Sequence, residues 1–131
     1  MRASLWVLHS SPDFASIVTA LADLEKAGVA ADAAADRVAA SGDAAAAARI
    51  SDALIQVERA FLHPQGLPGR PWFKHQLIGP GLTTGYAPWP YPALREAVEK
   101  KDMTMFGAEA KRVVAAIAAG TARLRQAASI R

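Results

Sequence analysis

The sequence predicts an all-α protein, an up-down bundle of about four helices with a long ordered Pro/Gly-rich loop between the second and third. Three observations lead there. Alanine makes up about a quarter of the 131 residues, and it is the best helix former because ordering it costs no side-chain entropy. Apolar residues recur at alternating spacings of three and four along the first, second and last helical segments, the period of a helix packed along one side. Six of the eight prolines and five of the nine glycines fall between residues 63 and 91, a density that no continuous helix tolerates.

Each element has its own signals. Ser11-Pro12-Asp13 reads as a helix start, with Ser as N-cap, Pro at the first helical position and an acid in the first turn. Phe14, Ile17, Leu21, Leu24, Gly28, Ala31, Ala35 and Val38 form the seam that follows. The register resumes unshifted beyond Gly28, so the helix is expected to run through it. Ser41-Gly42-Asp43 gives a turn and a new N-cap. The second helix is expected over residues 44–62, with Ile50, Leu54, Val57 and Phe61 as its inner stripe. Ile55 and Leu62 are expected to widen that stripe, and Pro64 ends the helix.

The loop carries Trp72, Phe73, Tyr86, Trp89 and Tyr91. Large aromatics are kept where they bury surface, so this segment is expected to be ordered against something, with a short strand over residues 74–78. A short helix follows, with Pro92 in its first turn and Leu94, Ala97 and Val98 facing inward. Arg95–Glu99 and Glu96–Lys100 are expected as i,i+4 pairs on its solvent side. The last helix, residues 104–128, has Phe106, Ala110, Val113, Ile117, Gly120, Leu124 and Ala127 as its seam. An interior Gly costs about 1 kcal/mol relative to Ala. Gly28 and Gly120 are therefore expected where two helix backbones approach closely.

Composition excludes several function classes. The net charge is +3, but Lys100-Lys101 and Lys111-Arg112 sit beside Glu99, Asp102 and Glu109. No basic stripe interleaves with aromatics, which argues against nucleic acid as a partner. Without cysteine there are no disulfides and no thiolate metal sites. No apolar run reaches the roughly 18 residues that span a bilayer, so membrane insertion is not expected, and residues 1–8 have one positive charge and too short an apolar stretch for a signal peptide. His9, His63 and His75 lack the i,i+4 spacing of a helical zinc site, and no metal site is expected. The glycines from Gly79 to Gly85 lack the lysine and spacing of a phosphate-binding loop, and no nucleophile elbow or cysteine nucleophile is present. From the residues alone, the chain is a helical bundle with an ordered loop and no catalytic centre.

The stretch from Gln56 to His75 is more specific. Glu58-Arg59-Ala60-Phe61, followed by Pro64-Gln65-Gly66-Leu67-Pro68-Gly69-Arg70-Pro71, resembles the corresponding segment of glutamate carboxypeptidase II and its bacterial relatives. Ile78, Pro80, Gly85-Tyr86-Ala87, Tyr91-Pro92 and Phe106-Gly-Ala-Glu-Ala-Lys-Arg112 extend the resemblance in order. It covers most of the chain from Ser11 onward, so residues 11–131 are expected to form one dimerisation domain of the glutamate carboxypeptidase/transferrin receptor family. Residues 1–10 remain unplaced.

The resemblance implies a C-terminal helical domain, not catalytic itself, that forms a homodimer and follows a zinc-dependent peptidase domain. That peptidase domain, with every zinc ligand, is missing here, and zinc is expected in it alone. The parent is expected to be a zinc-dependent carboxypeptidase or aminopeptidase. The compartment stays open, and a secreted or periplasmic parent is compatible with the residues. In active members the Pro-rich loop packs on the peptidase domain and helps close the substrate pocket, where a Lys-Tyr pair contacts a glutamate-like substrate end. Tyr86 matches the tyrosine, but Gly85 stands where the lysine would be, which leaves the substrate class open. Glu58, Arg59, Phe61, Arg70, Trp72 and Phe73 are expected in loop packing or the interface, with Glu58 a candidate partner for Arg70. The alternative is a free-standing helical adaptor that binds an unrelated protein through the aromatic loop.

Overall fold

The computed structural model describes residues 12–83 and 87–131, and its last helix is the organising element. Helices α1 (Pro12–Ser41), α2 (Ala44–Ala60), α3 (Pro92–Glu99) and α4 (Met103–Ala128) are joined by turns and by one long loop. That loop contains a two-stranded antiparallel hairpin of β1 (Ile78–Pro80) and β2 (Pro88–Pro90), with Gly79 opposite Trp89. α4 packs on α1 along most of its length, and also on α2 and α3. The four-helix, mostly helical architecture is the one expected. The expected strand at 74–78 lies instead at 78–80, where a second extended segment is available to pair with it.

Local chemistry explains the boundaries. The Asp43 carboxylate accepts from the Ala46 amide at 2.9 Å, capping α2, and Asp102 caps α4 through the Met105 amide at 2.8 Å. Each cap satisfies an amide that the first helical turn leaves without a partner, worth about 1 kcal/mol. Gly42, at φ +73°, makes the α1–α2 turn. α1 is continuous through Gly28.

The core has a large-residue end and a small-residue end. Ile17, Leu94, Phe106, Val113 and Ile117 pack at one end, with Ala97 and Ala110. Each large aliphatic or aromatic side chain there contributes roughly 1.5–3 kcal/mol by leaving water. Toward the other end, α1, α2 and α4 meet through Ala31, Ala53 and Ala127. Methyl-sized contacts let three helix axes approach closely, which gives the alanine excess a second role beyond helix propensity.

Three packing expectations are corrected. The inner face of α2 is Ala46, Ile50 and Ala53, whereas Leu54, Ile55 and Leu62 are 38%, 52% and 48% exposed. Small Ala53 takes the place expected for Leu54 because α2 lies close against its neighbours. Glu96 is not on the solvent side with Lys100; it is buried, because its carboxylate is the partner of a loop arginine. Arg95–Glu99 does form, at 3.1 Å. The glycines also differ. A methyl group at Gly120 would lie 2.8 Å from Cε1 of Phe61 and 3.6 Å from Cδ1 of Leu24, but one at Gly28 would meet nothing within 4 Å. Gly120 makes room for the Phe61 ring rather than for a neighbouring helix backbone, and Gly28 has no close neighbour from outside its own helix among the described residues.

Candidate functional site

The long loop begins where α2 stops, and a set of backbone hydrogen bonds folds it back on itself. Gln76 N–H donates to Phe61 O at 2.9 Å, His63 N–H to Lys74 O at 2.9 Å, and Leu67 N–H to Phe73 O at 2.9 Å. Gly66 and Gly69 have φ of +69° and +71°, a region open to glycine without a Cβ penalty. These turns bring Leu67, 2% exposed, inward as the loop's apolar anchor. Phe73 packs its ring over Gly79, where an added Cβ would lie 2.7 Å from Cε1.

Arg70 fastens the loop to the bundle. Its guanidinium donates through Nε to Pro80 O at 3.0 Å and through Nη1 to Pro68 O at 2.9 Å. It also makes a bidentate pair with Glu96 of α3, at 3.2 Å and 2.5 Å. The two side chains are only 5% and 3% exposed. One planar, always-charged group thus joins two parts of the loop and a helix, a task that suits the fixed fork of an arginine.

The structure does not bring Glu58 to Arg70. Glu58 lies 3.0 Å from Nε2 of His75. Nδ1 of His75 accepts from the Leu77 and Ile78 amides at 3.3 and 3.1 Å, so the ring proton sits on Nε2 and is donated to Glu58. Phe61, buried, meets the His75 ring edge-on at a centroid distance of 5.9 Å. His75 is thereby a structural group. Arg59 lies on the outer side of α2, beside a groove shared with Arg123 and Gln126 of α4. Trp72 is 75% exposed. Tyr86 and Gly85 lie outside the described residues, as does His9.

Gln76 and Glu109 are buried polar residues that the sequence does not single out. Gln76 is 2% exposed and donates from its side-chain amide to Lys74 O at 3.0 Å. Glu109 is 5% exposed, with Arg112 at 3.4 Å from one oxygen and no hydrogen-bond partner for the other. Burial pushes the Glu109 carboxyl above its ordinary range, while the Arg112 and His63 charges partly oppose this and Glu96 adds to it. Sequence alone marked neither as buried, because only the long-range fold covers them. Among the described residues there is no group of three or more His, Asp or Glu placed to hold a metal ion. No helix among them is long and apolar enough to cross a membrane.

Comparison with known proteins places this arrangement. The model of the transferrin receptor-like dimerisation domain matches residues 12–125. A probable glutamate carboxypeptidase of Arthroderma benhamiae is 41% identical over 46 residues, 35% of this chain and 6% of that protein. An inactive zinc metalloprotease of Schizosaccharomyces pombe is 34% identical over 64 residues, 49% of this chain and 8% of the relative. The probable glutamate carboxypeptidase AMP1 of Arabidopsis thaliana is 37% identical over 59 residues, 43% of this chain and 8% of the relative. The chain thus corresponds to less than a tenth of the length of these relatives, whose names include both carboxypeptidases and an inactive metalloprotease.

Proposed function

The chain belongs to the transferrin receptor-like dimerisation domain family, and from that premise we propose that it is a non-catalytic homodimerisation domain of a glutamate carboxypeptidase-like zinc metallopeptidase. The observation that carries the reading is the family match over residues 12–125, a domain family that is not itself catalytic. The exposed aliphatic residues of α2 support it. The expected result is a dimer at micromolar concentration, measured by light scattering after size exclusion. A chain that stays a folded monomer at every concentration tested would sink the reading.

The loop has a second proposed role, as a wall of the parent's substrate pocket. A segment cross-braced by buried Arg70 but presenting Trp72 at 75% exposure is ordered and has apolar surface to spare, which supports docking against a neighbouring peptidase domain. Tyr86 is the proposed substrate contact, next to Gly85, and zinc belongs to the peptidase domain. In a chimera that joins this chain to the peptidase domain of an active relative, Tyr86→Phe lowers kcat/KM by roughly 10- to 100-fold. That is the loss expected for one hydrogen bond to a charged group. The isolated chain keeps its stability within about 0.5 kcal/mol. Unchanged kinetics with a lower Tm would make Tyr86 a packing residue.

A further inference from the structure

α2 has two faces, and among the described residues only one of them is packed against the rest of the fold. At about 100° per residue, Ala46, Ile50 and Ala53 point to the core, and Ala48, Asp52, Ile55 and Arg59 form a stripe on the opposite side. All four residues of that stripe are exposed, Ile55 by 52%. Leu62, 48% exposed, follows just past the last turn, its amide held by Arg59 O at 3.2 Å. Beside the stripe, grooves run between α2 and α4, bounded by Ile55, Arg59, Arg123 and Gln126 at one end and by Leu62, Ala115 and Ala119 at the other. A stripe with 3–4 spacing next to a groove edged by alanines is the surface against which another helix packs.

We propose that a second copy of this chain covers this face, with the two α2 helices antiparallel about a two-fold axis between Ile55 and Gln56. The inference rests on the homodimer reading above and names the surface that serves it. Charge argues for the occupant. A two-fold contact is self-complementary, so whatever residue i meets, it meets reciprocally. Rotation about the point midway between 55 and 56 sets position 52 of each copy opposite position 59 of the other. Those positions hold Asp52 and Arg59, so the operation creates two opposite-charge pairs that flank a centre of Ile55 against Ile55. The same rotation lays Leu62 against Arg49, whose aliphatic stem can cover it. An unrelated acidic or basic partner would not need this internal balance. A single 17-residue helix is about 25 Å long, too little for the roughly 800 Å² per partner of a standard interface. The α2–α4 groove must therefore contribute, and Arg123 and Ala119 belong to the same surface.

The test uses the full chain and three variants, with light scattering for association and thermal melting by circular dichroism for folding. Ile55→Arg, Asp52→Arg and Arg59→Asp each weaken the dimer by roughly 100-fold, as like charges become juxtaposed at the seam, while the Tm of the monomer is retained. Equimolar mixing of Asp52→Arg with Arg59→Asp then restores dimers, because two positive positions in one chain face two negative positions in the other. An unfolded variant could not be rescued in this way. A wild-type dimer indifferent to all three substitutions overturns the seam and leaves the dimer reading standing. Weakened variants that fail to associate on mixing overturn the two-fold pairing of positions 52 and 59. A wild-type chain that is always monomeric overturns the homodimer reading and the seam together.

Discussion

Arg70→Ala lowers the stability of the chain by about 3–5 kcal/mol, because it removes one member of a buried ion pair and leaves the other without compensation. The charge left behind is Glu96, with a side chain 3% exposed. The Pro68 and Pro80 carbonyls lose their donor at the same time. For a domain of this size the loss corresponds to a fall in Tm of about 10–20 °C, readable by urea and thermal denaturation. Arg70→Lys keeps the charge but not the planar fork, so it recovers only part of the loss. Arg70→Met combined with Glu96→Leu recovers the part due to the unpaired Glu96 charge, since both partners are then apolar, but not the part due to the Pro68 and Pro80 carbonyls, which still lack a donor. Should Arg70→Ala cost less than about 1 kcal/mol, the pair is solvated in solution and the loop is not braced as described.

The second large effect is expected at Gly66. A Cβ there would overlap the Pro71 carbonyl oxygen, and would lie 2.7 Å from the Pro71 carbonyl carbon and 2.8 Å from the Phe73 oxygen. These are backbone atoms held by the hydrogen bonds of the loop, so no rotamer change relieves the contact. The left-handed conformation adds about 1–2 kcal/mol for any residue with a Cβ, and overpacking adds typically 1–3 kcal/mol. Gly66→Ala therefore destabilises the loop by about 3 kcal/mol. Gly42→Ala is the control, since its φ is also positive but a Cβ would meet nothing within 4 Å. It should show the conformational cost alone. Hydrogen exchange separates the two outcomes, with faster exchange at the Leu67 and Phe73 amides in Gly66→Ala and α4 still protected. Equal destabilisation by both variants would mean that the packing around Gly66 is looser than these distances imply.

Sequence by itself determined the helices and their ends. The 3–4 recurrence of apolar residues, the Asp43 cap, Pro92 at a first helical turn and the Pro/Gly cluster are local signals, and local hydrogen bonding answers them. The same holds for the seam of α4, where every residue from Phe106 to Ala127 except half-buried Leu124 is buried. The segment from Glu58 to Pro71 carried enough specific positions to name a family, although its pairings were not legible.

Tertiary structure decided which of several suitable partners is used. α2 has apolar residues on two faces, and only its close approach to α4 selected Ala53 over Leu54 for the inside. Arg70 could have met either Glu58 or Glu96 as a carboxylate. The fold places Glu96 in the same buried space and leaves Glu58 on the surface with His75. Gly28 and Gly120 look equivalent along their seams, but Phe61 arrives from α2 only at Gly120. Each of these choices depends on groups far apart in the chain. A spacing rule specifies which side of a helix is apolar, and it carries no information about what stands opposite.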